Sequence, residues 1–497
     1  MLNLRLKTGK NCTFAFKLEI MNWYLFWIIV YVVVILYFTI KHVSHKDIDA
    51  YLINNRNTRT LPLVFTTLAT FVGGGVCMGL IAMGYTSGLA AVAIGLAYVI
   101  GFFILYFFAG KIRDYGADNK IFSFAEYLNR RYLKKHRSSI FPKQFSGMIS
   151  GINILIFFFL TAAQFVGMAS LLHHAFSVGY GLAAGISFVL VITYTALAGL
   201  SGVIITDSIQ FVVIVFMIAA IFIPGILEDT NNFESLKTLD PSMLNGTSEG
   251  LLFLLGLPLL LAPSVLTRMD IWQRTLAAKS ARTARRTAWI CGLAMLPFYI
   301  IFPLVGMALR VDFGAGADPD AATFLFLANH TAPVLLGFAV VGLLAALMSS
   351  ADSFLNIVAM TAVRDFVSWK KDGISKKKSF RYIRFAVFGF GALALIMALF
   401  FADIVNLFVA GITMNILFTP ITILALVRKD VYKYKFAAFG SIISGTIVIL
   451  ILFTIGFATG NDSLLKMAFI PATIVATIAL FIGLWRHKRK AKIAQAT

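Results

Sequence analysis

The chain has 497 residues, of which 59% are hydrophobic and only 13% charged, with a mean hydropathy of +0.87. No water-soluble domain of this length can hide so much apolar side chain, because interior volume is limited. The net charge of +21 would suit nucleic acid, but the bases lie in short loops between apolar blocks. That placement is a topology signal and argues for a lipid bilayer, with no nucleic-acid partner.

The apolar residues come in blocks of about 20, the length a helix needs to cross a bilayer. A β-barrel would alternate along strands of roughly 10 residues, and these blocks do not alternate. The fold class is an all-α integral membrane protein. About thirteen spans are predicted, near 21–40, 61–84, 88–110, 145–175, 178–199, 201–224, 249–266, 288–310, 333–365, 381–401, 404–427, 433–456 and 465–486. Residues 1–20 read as a disordered tail, with Met21 a plausible start of the folded chain. A transporter domain occupies 21–486, and 487–497 form a basic tail.

Bases mark one side. Lys111, Arg130, Arg131, Lys134 and Lys135 follow span 3; Arg282, Arg285 and Arg286 follow span 7; Lys376, Lys377 and Lys378 follow span 9. The segment Glu228–Asp240 carries only Lys237. The prediction is a multi-pass protein of the cell membrane, N-terminus outside and C-terminus cytoplasmic. The basic tail residues Arg5, Lys7, Lys10 and Lys17 run against this rule.

Two spans are punctuated. Span 2 contains Gly73-Gly74-Gly75, and glycine weakens a helix by about 1 kcal/mol relative to alanine. Span 7 contains Gly256, Pro258 and Pro263, and proline removes a backbone donor. Bare backbone inside a membrane must line a cavity or be buried in protein. Spans 2 and 7 are five apart, the spacing of two inverted five-helix repeats that each open on a broken helix. Such breaks hold substrate and ion near the midplane. Close helix packing through small residues is the competing explanation for the glycines.

Span 9 carries Ala346-Leu347-Met348-Ser349-Ser350-Ala351-Asp352-Ser353. A hard cation wants oxygen ligands. Two hydroxyls facing carbonyls freed at a helix break form a site without net charge, suited to sodium. Alternatively, such serines back-bond to their own helix. Asp352 and Asp207 are intramembrane carboxylates, hence functional candidates, unless Asp207 sits at the cytoplasmic mouth. Gln164 interrupts span 4 and bonds either substrate or a neighbouring helix. His173 and His174 read as surface residues. Asp270–Ser280 reads as an amphipathic cytoplasmic loop whose bases meet lipid phosphate. Cys12, Cys77 and Cys291 have no metal spacing. No Gly-Lys-Ser/Thr follows the glycines, so no nucleotide or other cofactor is expected.

Three stretches, Gly199–Gln210, Gln273–Ser280 and Ala346–Asp365, together resemble the sodium:solute symporter family. The resemblance runs from about Met21 to Trp485 and implies a LeuT-like core, here residues 61–224 and 249–427. It implies a sodium site from carbonyls at Ala69 or Thr70 and Val72 or Gly73, with Ala346, Ser349 and Ser350. It places Asp207, Asp352 and Ser353 at a second cation site or on the sodium exit path. An aspartate at 352 departs from the two-serine version of that site and would tighten it or suit a proton. Sugar-type members carry polar side chains near the positions of Leu261 and Ser264, so a sugar is disfavoured.

The resulting expectation is a sodium-coupled importer of a small organic solute, an amino acid or organic acid ahead of a sugar, and not an enzyme. The solute would lie beside Gly74, Gly75, Cys77, Gln164, Leu261 and Ser264. Sodium is the only metal implied, and a monomer suffices. The rivals are proton coupling and a transporter-like sensor reporting to a separate kinase.

Overall fold

The computed structural model describes residues 10–41, 48–133, 140–367 and 376–496. Residues 1–9 of the expected tail, and Lys134 and Lys135 of the loop after span 3, lie outside the described residues. Among the described residues, eleven helices are long and apolar enough to cross a membrane, and two bent helix pairs bring the number of spans to thirteen. Helices solve the membrane problem because each satisfies its own backbone.

Numbered by span, the helices are α1 Lys10–Lys41, then α2a Thr60–Phe71 and α2b Gly74–Ser87, α3 Ala90–Asp118, α4 Ile140–Phe176, α5 Tyr180–Leu197 and α6 Gly199–Asp229. The second series is α7a Leu251–Leu266 and α7b Met269–Ala277, α8 Ala281–Phe313, α9 Pro333–Arg364, α10 Lys378–Phe400 and α11 Ile404–Val427. The last two spans are α12 Val431–Thr459 and α13 Ser463–Arg489. The first helix starts at Lys10 and so reaches into the stretch expected to be a tail.

α9 is the central post. In its most apolar stretch 83% of residues are buried, against 28% in α10 and α12. It packs on α4, α5, α6 and α1, while α3 packs along α8 and α12 along α13. Phe385, Phe388 and Phe400 of α10 and Leu450, Ile451 and Phe457 of α12 point outward, as a lipid-facing surface requires. α2b and α8 meet backbone to backbone. A β-carbon on Gly84 would lie 2.2 Å from the Pro303 carbonyl oxygen, and one on Gly306 would lie 2.0 Å from that of Ile81. Small residues permit such contact where no hydrophobic force acts between helices.

α5 passes into α6 through Gly199, whose φ of +61° and ψ of 175° turn the chain within one residue. Positive φ suits glycine. The ring of Tyr51 leaves no alternative, since a β-carbon at Gly199 would lie 2.3 Å from it.

The second break differs from the sequence expectation. Pro258 sits in a π-turn over Leu257–Leu261 and Pro263 in a 3₁₀ turn over Ala262–Leu266. The helix actually bends, by 46°, at Thr267 and Arg268. The prolines loosen α7a, and the chain turns where Arg268 adopts extended backbone (φ −70°, ψ 121°). The stretch expected to be a lipid-facing loop is instead part of the interior. Met269–Ala277 is a helix with all its residues buried. Its end is tied to the entry of α2a, with the Thr58 amide donating to the Ala277 carbonyl (3.0 Å) and the Lys279 amide to the Thr58 carbonyl (2.9 Å). Lys279 is the first exposed base of the stretch.

Candidate functional site

α2a ends at Phe71, Val72 turns (φ −82°, ψ 28°), Gly73 is extended (φ −73°, ψ −165°), and α2b leaves at 58°. In a continuous helix the carbonyls of Ala69 and Thr70 would accept from the amides of Gly73 and Gly74. The break frees them. Gly74 N–H instead donates to Gln164 Oε1 at 2.6 Å.

The freed carbonyls face α9. Ser349 Oγ donates to Ala69 O (2.8 Å) and lies 3.0 Å from Ala346 O. Ser350 Oγ donates to Thr70 O (2.7 Å) and lies 3.3 Å from Ala346 O. Both serines are fully buried. Three carbonyls and two hydroxyls thus form a neutral oxygen cage where two helices cross. A hydroxyl can turn its lone pairs toward a cation, so the group fits a monovalent ion that must also leave. Gly73 presses on the same place, because a β-carbon there would lie 2.0 Å from Ser350 Oγ. Val72 takes no hydrogen bond from either serine. Neither register left open by the sequence is met as a pair: the structure brings the first carbonyl of each, Ala69 and Thr70, to the serines.

One turn toward the α7b side lies a charged network. Asp207 is fully buried inside the protein. Its Oδ2 accepts from Thr66 Oγ1 and from Arg274 Nη2 at 3.2 Å. Arg274 also donates to Thr66 Oγ1 (3.0 Å), Ser353 Oγ (3.1 Å) and Thr70 Oγ1 (2.5 Å). Asp352 is fully buried and neither of its oxygens has a hydrogen-bond partner among the described residues; Asp207 Oδ1 also has none. Among the described residues Arg274 pairs with Asp207 alone, so Asp352 stands in a low-dielectric interior without a bonded counter-charge, an arrangement that suits a proton or a further cation. The remaining ionisable groups beside Asp352 are Tyr194 of α5 and Tyr31 of α1.

Sequence reasoning missed Arg274, Arg268, Asp270 and Thr66. Arg268 and Asp270 form a buried two-bond ion pair at 2.7 and 3.0 Å. The charges of Asp270–Ser280 suggested a surface loop, and Arg268 drew no reading. The available signal was Ile271, Trp272 and Leu276 set among charges at helical spacing, which makes a helix with one apolar face.

A cavity of about 350 Å³ runs from Gly75 in the break out to Asp320, Asp403 and Lys466. Its walls include Leu261, Tyr98, Tyr299 and Phe408. Of the expected solute contacts, Gly75 and Leu261 line it. Gly74 and Gln164 are engaged with each other at its base. Cys77 and Ser264 are buried away from it, although Ser264 supports the second break by accepting from Asn415 Nδ2 at 3.1 Å. His173 and His174 are exposed.

Comparison with known proteins bears on the fold and the family. The chain is 25% identical over 468 residues to the osmoregulated proline transporter OpuE of Bacillus subtilis, covering 90% of this chain and 91% of that one. It is 26% identical over 363 residues to sodium/proline symporter 2 of Staphylococcus saprophyticus, 68% of each chain. Among solved structures, a substrate-bound outward-open Na+-coupled sialic acid symporter superposes with a TM-score of 0.75 at 19% identity, covering 93% of this chain and 97% of that one. The nucleobase-cation-symport-1 transporter Mhp1, closed on bromovinylhydantoin, gives 0.57 at 15% identity, over 90% and 97% of the two chains. These two share the fold. Residues 51–448 match the model of the sodium:solute symporter family, and the chain, a sodium-coupled solute symporter and not an enzyme, belongs to it.

Proposed function

We propose that the protein imports a small organic solute, an amino acid or other organic acid, together with sodium by alternating access. The observation that carries this is the pairing of Ser349 and Ser350 with the freed carbonyls of Ala69 and Thr70. The cavity supports it, being largely apolar-walled and leading to the break from the side of Asp320 and Lys466. The opposite side is filled by the Arg274–Asp207 network. Sodium in the cage would hold α2a against α9 and fix the shape of the break on which the solute rests. The membrane potential contributes about 2.3 kcal/mol per charge per 100 mV to inward movement.

The names of the bacterial relatives make proline the first solute to try. The orientation comes from the bases: the cavity opens outside, and Arg282, Arg285 and Arg286 face the cytoplasm. The unpartnered oxygens of Asp352 favour a second coupling cation beside Asp207.

The test is uptake of labelled amino acids, organic acids and sugars into proteoliposomes under an inward sodium gradient, with potassium as control. Sodium-dependent accumulation that disappears in the Ser349→Ala/Ser350→Ala double variant supports the cage. Accumulation indifferent to both sodium and the two substitutions refutes it.

A further inference from the structure

Between the outer cavity and the oxygen cage lies a second, smaller gap of about 10 Å³. It is lined by Phe71, Gly73, Tyr98, Arg268, Tyr299 and Ser350, among others. Tyr98 and Tyr299 belong to both spaces and separate them. The two rings stack with centroids 5.8 Å apart. Both hydroxyls are buried, and neither has a hydrogen-bond partner among the described residues. A buried hydroxyl without a partner costs stability unless something else occupies it.

Arg268 supplies the third element. It is 4% exposed, and its guanidinium lies 4.2 Å from the centre of the Phe71 ring, the last side chain before the break. Nε and Nη2 are taken by Asp270. Arginine has five N–H groups in a rigid fork, and the Nη1 edge carries no hydrogen bond in the described structure. Two phenolic hydroxyls and one edge of the guanidinium thus converge on one gap, with Tyr98 close enough to Arg268 to interact with it. Every one of them is a donor to an anion of planar, two-oxygen shape, and arginine forks match carboxylates in that way.

We propose that this gap recognises the carboxylate of the solute, with Arg268, Tyr98 and Tyr299 as its specificity-determining residues. The proposal rests on the solute entering through the outer cavity. The gap is too small in this conformation to hold a carboxylate group, so the tyrosine pair must part as the solute seats. Ser350 borders the same gap. A carboxylate there lies beside the sodium cage and offsets the charge of the ion, so each ligand raises the affinity of the other by the same factor. Arg268 and Asp270 neutralise one another, so without sodium the site offers a lone anion little net attraction.

The experiment uses the purified full chain and reads thermal stabilisation in sodium against potassium. The probes are the twenty amino acids, lactate, pyruvate and galactose, plus the amide of any carboxylate that stabilises. The variants are Tyr98→Phe/Tyr299→Phe and the neutral pair Arg268→Gln/Asp270→Asn, which leaves no buried charge unpaired. The expected result is a carboxylate ligand whose amide fails. Each variant should weaken it roughly ten- to hundredfold, the scale of lost hydrogen bonds to a charged group. Sodium stabilisation without solute should persist in both variants, which a folding defect would abolish. A neutral ligand, equal binding of acid and amide, unchanged affinity in the variants, or sodium stabilisation with no carboxylate hit would each overturn the proposal while leaving sodium coupling intact. Absence of sodium stabilisation in the unaltered protein would instead refute the cage.

Discussion

Replacing Gly73 with alanine tests the cage without replacing any of its ligands. The backbone at Gly73 is extended with negative φ, so alanine brings no backbone strain. The problem is space. The new methyl group would lie 2.0 Å from Ser350 Oγ, 2.7 Å from Ser350 Cβ and 2.8 Å from Gln164 Oε1. The hydroxyl can swing away, but only by giving up Thr70 O. The β-carbon cannot, so α9 and the break must separate by about 0.7 Å to reach ordinary contact at 3.4 Å. Overpacking of this kind costs about 1–3 kcal/mol. If it falls on the ion-bound state, sodium binds roughly ten- to hundredfold more weakly. The assay is thermal stability of the purified protein against sodium at constant ionic strength. At a sodium concentration of 100 Kd the unaltered protein gains about 2.7 kcal/mol, and a variant with a hundredfold weaker site gains about 0.4 kcal/mol. Gly79→Ala is the control, because its nearest neighbours would be 3.8 and 3.9 Å away. A Gly73→Ala protein with the full sodium-dependent gain would show that the break and the serines do not share an ion.

Asp207→Asn strands Arg274 in the interior and should cost about 3–5 kcal/mol; the Asp207→Asn/Arg274→Gln pair should cost less, and a double variant less stable than the single one would contradict the ion pair. Gln164→Leu removes the acceptor for Gly74 N–H and should destabilise by about 1–3 kcal/mol in the same thermal assay, whereas Gln164→Glu keeps an oxygen there and should retain more stability. Gly199→Ala meets both a positive φ and the Tyr51 ring and should lower expression and melting temperature; Gly185→Ala, with open space around it, should leave both unchanged. His330, outside the spans, is pulled down by burial, but its bonds to Asp229 and the Phe326 carbonyl outweigh this and raise its pKa above the usual 6.5. The folded state then binds that proton more tightly, so its contribution is full below about pH 6.5 and fades as pH rises through the folded pKa. His330→Gln should therefore be less stable than the parent at pH 6, with the gap closing in alkaline buffer.

The spans were legible because apolar length is a one-dimensional property. The first break was legible too, since Gly73-Gly74-Gly75 stands out in a membrane segment and the chain bends at Val72 and Gly73. The second was only half legible. Pro258 and Pro263 mark where hydrogen bonding is disturbed, but the direction changes at Thr267 and Arg268, where the Trp272 indole donating to the Leu266 carbonyl at 2.6 Å pins the turn. That contact depends on tertiary packing. The charged residues of 268–274 escape a sequence reading for a related reason. Hydropathy treats charge as a mark of water, whereas Arg268 meets Asp270, and Arg274 meets Asp207 from an element 67 residues away. A pair neutralised across sequence distance leaves no local trace. Ser349 and Ser350 were readable from sequence as hydroxyls facing the first break, and they do meet its carbonyls. Gln164 suggests a solute contact, yet the backbone of Gly74 occupies its oxygen.

Three positions on α2 tie these parts together. Thr70 gives its carbonyl to Ser350 in the cage, and its hydroxyl accepts from Arg274 in the inner network. Phe71 lies under Arg268, and Gly73 abuts Ser350 and Gln164. An ion that fixes Thr70 O therefore fixes one partner of the inner network as well. If the proposed cycle opens this side, Arg274 would leave Asp207, Thr66 or Ser353, and each separation would free an oxygen for the departing cation. In the proposed cycle, sodium release and inner opening would be one event seen from two ends. Loosening the network, as in Asp207→Asn/Arg274→Gln, should then weaken the dependence of solute binding on sodium, even where both ligands still bind.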